Sequence, residues 1–166
     1  MSCEDREIPL FVGGLALVRD QAENGKASWL VRQEEQGQPW RLIEAPCLEG
    51  ETIRDAVKRE ATWTLGLDPK KDVLVSQVPR AHLHVEYRPE AQERPEGQYQ
   101  IEFYVIDLYS KTARQTIDAD ARNRWISAAE LQLGLCNDGQ TLDRFQHKFI
   151  TKAAVVNSWG EDSYYG

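Results

Sequence analysis

The sequence predicts an α+β domain, on three observations. Several short stretches are rich in β-branched and aromatic residues and end at Gly, Pro or Asn turn signals. One stretch, 52–65, carries the apolar spacing and the end signals of a helix. The strands gather around one or two helices rather than alternating with them, which sets the class as α+β. At 166 residues the chain has the size of one domain with a single sizeable core, expected to span 1–166.

Taken in order, "PLFVGGLALVRD" (9–20) reads as a strand and "QAENGKA" (21–27) as a turn around Asn24-Gly25. "SWLVRQ" (28–33) is the return strand. After the turn "EQGQP" (35–39) a short strand, "WRLIEA" (40–45), follows. In the first helix Thr52 is placed to cap the N-terminus, with Asp55 completing a capping box. Gly66 ends it as a left-handed residue, and Pro69 lies just beyond. "DVLVSQVP" (72–79), "AHLHVEYR" (81–88) and "YQIEFYVIDLY" (99–109) are strand-like. The polar segment "PEAQERPEGQ" (89–98) is expected to be a mobile loop. "SAAELQL" (127–133) is a short helix. A second helix is expected within 138–156, where Leu142, Phe145, Phe149 and Val156 recur at roughly helical spacing.

Composition excludes several classes. No apolar run reaches the ~20 residues that span a bilayer, so no membrane partner is expected. The acidic N-terminus does not read as a signal peptide. Cys3, Cys47 and Cys136 are odd in number and lack metal-type spacing, which points away from a disulfide framework and makes the cytoplasm the default compartment. A net charge of −7 repels a phosphate backbone, so no nucleic-acid polymer is expected. A small anionic ligand needs only two or three cations and stays open. A second copy of the chain also stands as a candidate partner.

On a helical wheel Ile53, Ala56, Val57, Glu60 and Thr64 share one sector, with Trp63 at its edge. Glu60 is thus a carboxylate in an apolar stripe, and a charge there must be paired, hydrogen-bonded or on a metal. An arginine or the Thr64 hydroxyl could hold it.

Residues 45–67, "APCLEGETIRDAVKREATWTLGL", resemble the Nudix box, G-x5-E-x7-R-E-U-x-E-E-x-G-U with U aliphatic. Glu51, Arg59, Glu60, Ala61, Gly66 and Leu67 fall on its fixed positions, and Gly50 matches the glycine that commonly precedes the first glutamate. The strand–turn–strand run before the box and "NRWISAAEL" (123–131) resemble the family's flanks, so the resemblance covers about 8–155. It implies a Nudix fold, a mixed β-sheet sandwiched between helices. It also implies substrates that are nucleoside diphosphates linked to another group, with Mg²⁺ or Mn²⁺ held by Glu60 and two further box glutamates. Residues at i, i+3 and i+4 share a helix face, so three carboxylates would converge on hard cations. By the same resemblance Glu51 and Arg59 hold the loop–helix geometry.

The departures fall on that chemistry. Ala45 stands at the opening glycine, and Trp63 and Thr64 stand at the two consecutive glutamates. Asp55 cannot replace them, lying about 140° from Glu60 around the helix. Three expectations follow. The first is a domain that binds a phosphorylated or nucleotide-like molecule, with weak or absent pyrophosphohydrolase activity. In it Trp63 edges the pocket, where it stacks on a base, fills the void left by the metals or packs into the core, and Thr64 sits beside it. The second is an active Mg²⁺- or Mn²⁺-dependent hydrolase using Glu60 with acids outside the box. Glu102, which alternates with Gln100 and Tyr104, is the candidate base or ligand. The third is a protein-interaction domain with its cleft plugged by Trp63. His82, His84 and Glu86 share one strand face and have metal-binding residue types, but an exposed polar face is the favoured reading. His147 is expected at the surface.

Overall fold

A computed structural model describes residues 9–21, 25–87 and 96–156. Their elements run β1 (Leu10–Gln21), β2 (Ala27–Arg32), β3 (Ile43–Pro46), α1 (Ile53–Leu65), β4 (Val73–Val75), β5 (Ala81–Tyr87), β6 (Gly97–Leu108), α2 (Lys111–Asp118), β7 (Asn123–Ser127), α3 (Ala128–Leu133) and α4 (Arg144–Lys152). The strands form one mixed sheet ordered β4-β6-β1-β2-β7. β3 also pairs with β1, and β5 with β6. The central pair, β1 and β6, is parallel from Leu10↔Gln98 to Arg19↔Asp107. Both strands are buried on both faces through their middle, as central strands between two layers must be.

Side chains alternate between two cores. Leu15, Leu17, Ile101 and Phe103 meet Leu131 of α3 and Phe149 and Ile150 of α4 on one face. Ala16, Val18, Tyr104 and Ile106 meet Ala56, Val57 and Leu65 of α1 and Ala113 and Ile117 of α2 on the other. The expected sheet sandwiched between helices is what forms. No helix among the described residues is long and apolar enough to cross a membrane.

The ends of α1 follow the sequence signals. Thr52 Oγ1 accepts the Asp55 N–H at 3.1 Å, one half of the expected box. Gly66 takes the left-handed conformation, φ 70°, and Leu67 N–H closes the end on Thr62 O at 2.9 Å. The complete capping box occurs instead at α3, between Ser127 and Glu130.

Some elements differ from expectation. The last helix begins at Arg144 rather than near 138, because Asp143 Oδ1 caps it by accepting the Phe145 and Gln146 N–H groups. Leu142 therefore precedes the helix and Val156 follows it. The strand expected over 40–45 is regular only over β3, with Trp40 and Arg41 as isolated bridges. In the expected loop 89–98, Gly97 and Gln98 already belong to β6, while 89–95 lie outside the described residues, as do 22–24 of the turn around Asn24.

Gln146 explains how the short β3 segment is held. It is buried (1% exposed) and pairs with the backbone of Leu42 as a strand would. Leu42 N–H donates to Oε1 at 2.7 Å, and Nε2 donates to Leu42 O at 3.0 Å.

Candidate functional site

The loop into α1 and the helix itself are tied together by one guanidinium. Arg59 Nε and Nη2 donate to the two Glu51 carboxylate oxygens at 2.8 and 3.1 Å. Nη2 also reaches Pro46 O at 3.1 Å, and Nη1 donates to Glu60 Oε2 at 2.9 Å. A planar fork with five donors suits such a node. The Arg59 hydrogen bonds, then the Leu48 N–H, hold the Glu51 carboxyl below the usual carboxylate range, and the bond to Glu51 raises Arg59 in turn. Cys47 braces the same turn, donating to Glu51 O at 2.9 Å. Burial, then the Glu51 charge, pushes its thiol up, which disfavours the thiolate. Of the two partners expected for Glu60, the arginine holds it. The Thr64 hydroxyl makes no hydrogen bond among the described residues.

Trp63 neither packs into the core nor plugs a cleft, because its side is 84% exposed. The buried arc of α1 centres on Val57, Ala61 and Leu65, and at about 100° per residue Trp63 points nearly opposite. Glu60 and Thr64 flank that arc, half-buried. Trp63, Glu60 and Arg59 border a groove of about 870 Å³ along the outer side of α1, which Lys58, Thr62 and Pro69 complete.

Glu102 does not join this group. It sits on β6 between Gly14 of β1 and His82 of β5, on the α1 face of the sheet. It accepts the Tyr104 hydroxyl at 3.1 Å and lines a separate cavity of about 440 Å³ with His82, His84 and Gln100. Burial and that hydrogen bond push Tyr104 up to about 12. The charge of Glu102 contributes to the raised Cys47 pKa, which places it toward the box loop. His82, His84 and Glu86 are exposed, with His84 Nε2 3.3 Å from Gln98 Oε1. His147 is half-buried, its Nε2 2.7 Å from Gln132 O.

The donor set does not fit the metal cage the box implies. Glu60 brings one carboxylate, with one oxygen already on Arg59. Trp63 brings an N–H, which cannot ligate. Among the described residues no group of three His, Cys, Asp or Glu side chains is arranged to hold a metal ion. Mg²⁺ prefers an octahedron of oxygens, so a multi-metal centre has too few donors here.

A second cavity, unmarked in the sequence, lies on the other side of the Arg59–Pro46 contact. About 530 Å³ in volume, it is bounded by Phe11, Gly13, Pro46, Cys47, Tyr99 and Ile101. Phe11 and Tyr99 stack there, 4.8 Å between ring centres. Their partnership needs the parallel β1–β6 register, Phe11↔Tyr99, which no local signal announces.

No family model and no curated protein matches the sequence. Solved structures do match the architecture. Shewanella oneidensis NrtR, in complex with a 27-mer DNA, aligns over 87% of this chain and 59% of its own, at 16% identity and a TM-score of 0.54. The chain thus spans about three fifths of that protein. A Nudix hydrolase from M. smegmatis, RenU, aligns over 81% of this chain and 77% of its own, at 17% identity and 0.52. C. elegans Ap4A hydrolase aligns over 88% and 95%, at 13% identity and 0.52. At such identities the likeness is one of fold, and the fold is the Nudix fold.

Proposed function

We propose that this chain is a divergent Nudix domain that binds a nucleoside-diphosphate-linked or phosphorylated small molecule, with weak or absent pyrophosphohydrolase activity. One observation carries the reading. The helix flank of Glu60, Trp63 and Thr64 offers a single carboxylate, paired with Arg59, beside an indole turned to solvent. The Glu51–Arg59–Pro46 scaffold that shapes the box loop is meanwhile intact. A fold that keeps the frame and lacks the acids retains a place for a ligand and loses the means to activate water on two or three metals.

Binding is supported by the cavity beside that frame, whose volume is that of small-molecule sites and whose walls set Phe11, Tyr99 and Ile101 beside the charged Arg41 and Glu44. Outside that cavity, Trp63 and Thr64 of α1, and Glu102 in its own separate cavity, are proposed as further ligand-facing residues, and Glu60 as the one box carboxylate left for a metal. We place a single such domain over 1–166 in the cytoplasm, with no resident metal required. The net charge of −7 tells against a nucleic-acid polymer as the ligand.

The test is to incubate the protein and Glu60→Gln with a panel of nucleoside-diphosphate-linked compounds plus Mg²⁺ or Mn²⁺. Hydrolysis and melting temperature are then followed together. A ligand-dependent rise in melting temperature without turnover is the expected result. Turnover by the wild type that Glu60→Gln abolishes would overturn it in favour of an active hydrolase drawing on acids outside the box.

A further inference from the structure

The exposed face of α4 carries one sign of charge. Arg144, Lys148 and Lys152 follow one another at i, i+4 and i+8, within a sector of about 80° on the helix. All three are exposed, and none makes a salt bridge among the described residues. Lys148 only lies 5.6 Å from the centre of the Phe145 ring. The nearby carboxylate, Asp143, is taken by Arg41 at 3.1 Å and by the cap of the helix. The stripe costs the fold stability. Like charges one turn apart repel, and Arg144 stands in the first turn, where the helix dipole is already positive. Lys152 alone suits its place, in the last turn. α2 shows the arrangement that stability favours, with Arg114 bridged to Asp118 at i, i+4. On a chain whose net charge is −7, three unbridged cations in a row are a local reversal of sign.

An apolar edge borders the stripe. His147 sits about 60° from Arg144 around the helix, with Nε2 2.7 Å from Gln132 O. Its ring leaves no room at Gly134, where a Cβ would lie 2.8 Å away. The end of α3 is thereby fixed beside α4. Leu133 and Leu135, on either side of Gly134, are 71% and 46% exposed there.

We infer that this face, the α4 stripe with the two leucines beside it, is a docking surface for an acidic amphipathic helix of another protein. Carboxylates at i, i+4 and i+8 of a helix repeat every ~6 Å, the same step that separates the three cations. An apolar stripe on the flank of such a helix would cover Leu133 and Leu135. Charge complementarity sets the partner's sign, and the net charge of −7 limits its size. An anionic bilayer or a nucleic-acid polymer meets the repulsion of the whole protein, whereas a short segment meets the stripe alone. A second copy docked face to face would set cation against cation. The surface lies across the sheet from α1 and is independent of the small-molecule reading.

A short fluorescein-labelled helical peptide tests it, with glutamates at i, i+4 and i+8 and leucines along one flank. Fluorescence anisotropy follows its binding to the full chain, to Arg144→Glu and to Leu133→Ser, beside a peptide of equal charge whose leucines are serines. The wild type is expected to bind the first peptide and to release it as salt rises. Arg144→Glu is expected to bind it about tenfold more weakly, since one attraction becomes a repulsion. The melting temperature of that variant should hold or rise, because a glutamate suits the first turn and pairs with Lys148. Leu133→Ser and the serine peptide are each expected to lose affinity several-fold. Equal binding by Arg144→Glu, or no binding by the wild type, overturns the inference. Equal binding of the serine peptide overturns it too, by showing attraction of charge without a fitted surface. Wild type that prefers phosphatidylserine vesicles to the peptide would give the stripe to a membrane, and a dimer that Arg144→Glu dissociates would give it to a second copy. Either result overturns the inference and leaves the proposed function standing.

Discussion

Gln146→Leu is expected to destabilise the protein by about 3 kcal/mol. The wild-type amide satisfies both backbone groups of Leu42, at 2.7 and 3.0 Å, in a place where Leu42 itself is 1% exposed. Leucine has similar bulk, so little cavity opens, but it leaves a buried N–H and a buried C=O without partners. Each such group costs about 1–3 kcal/mol. Two of them give about 2–6 kcal/mol, and relaxation of the short segment brings the expected value toward the lower half. In urea, with a slope of about 2 kcal/mol/M, the midpoint should fall by about 1.5 M at unchanged slope. A loss below about 1 kcal/mol would refute the reasoning, since it would mean water or another group reaches Leu42 once the amide is gone. The effect bears on the site, because Leu42 leads directly into β3 and β3 ends at Pro46, the carbonyl that Arg59 holds.

Other outcomes follow from the same geometry. Gly14→Ala would put a Cβ 2.3 Å from Val57 Cγ2 and 2.9 Å from Ile53 Cγ2, and should cost about 1–3 kcal/mol or more by pushing α1 off the sheet, read as a lower melting temperature. Tyr104 has a folded pKa of about 12 against 10.0 for the free side chain. Between those values the unfolded chain has lost a proton that the folded chain keeps, so stability should fall as pH rises through that window, and Tyr104→Phe should flatten the fall. Near-ultraviolet titration should show one tyrosinate forming late. Trp63→Ala should leave the melting temperature nearly unchanged, within about 0.5 kcal/mol of stability, because the indole covers almost nothing; a large loss would mean that Trp63 packs in solution.

The fold was legible wherever a local signal had a physical cause. Thr52 and Gly66 bounded α1, and the apolar, β-prone runs of β1 and β6 marked the strands that become central. The Glu51–Arg59 pair was readable as an anchor from its place in the box, and it anchors. α2 was not read at all. Its eight residues bury only Ala113 and Ile117, so its stripe is too narrow to stand out from a polar turn, although Ser110 is a sound cap. The apolar sector that the sequence offers centres on Ile53 and Glu60 and puts Trp63 at its edge. The buried arc in fact turns toward Ala61 and Leu65, which leaves the indole outside. Nothing in the sequence marked Gln146, which the structure buries. Its burial answers to an orphan backbone 104 residues away, which no window of sequence contains.

The parallel pairing of β1 with β6 also governs how the chain is made. Arg19 and Asp107, at the far end of that ladder, are 88 residues apart. At about 5–20 residues per second, a ribosome takes roughly 4–18 s to deliver the second strand after the first. Throughout that interval Leu15 and Leu17, fully buried in the finished protein, have only β2 and β3 beside them and no sheet to close either core. The nascent chain therefore carries its most apolar strand half-paired for seconds, the period in which an added strand from another chain would compete best. Folding should be slow and concentration-sensitive compared with a fold of local contacts, and the cell's chaperones would meet this protein early.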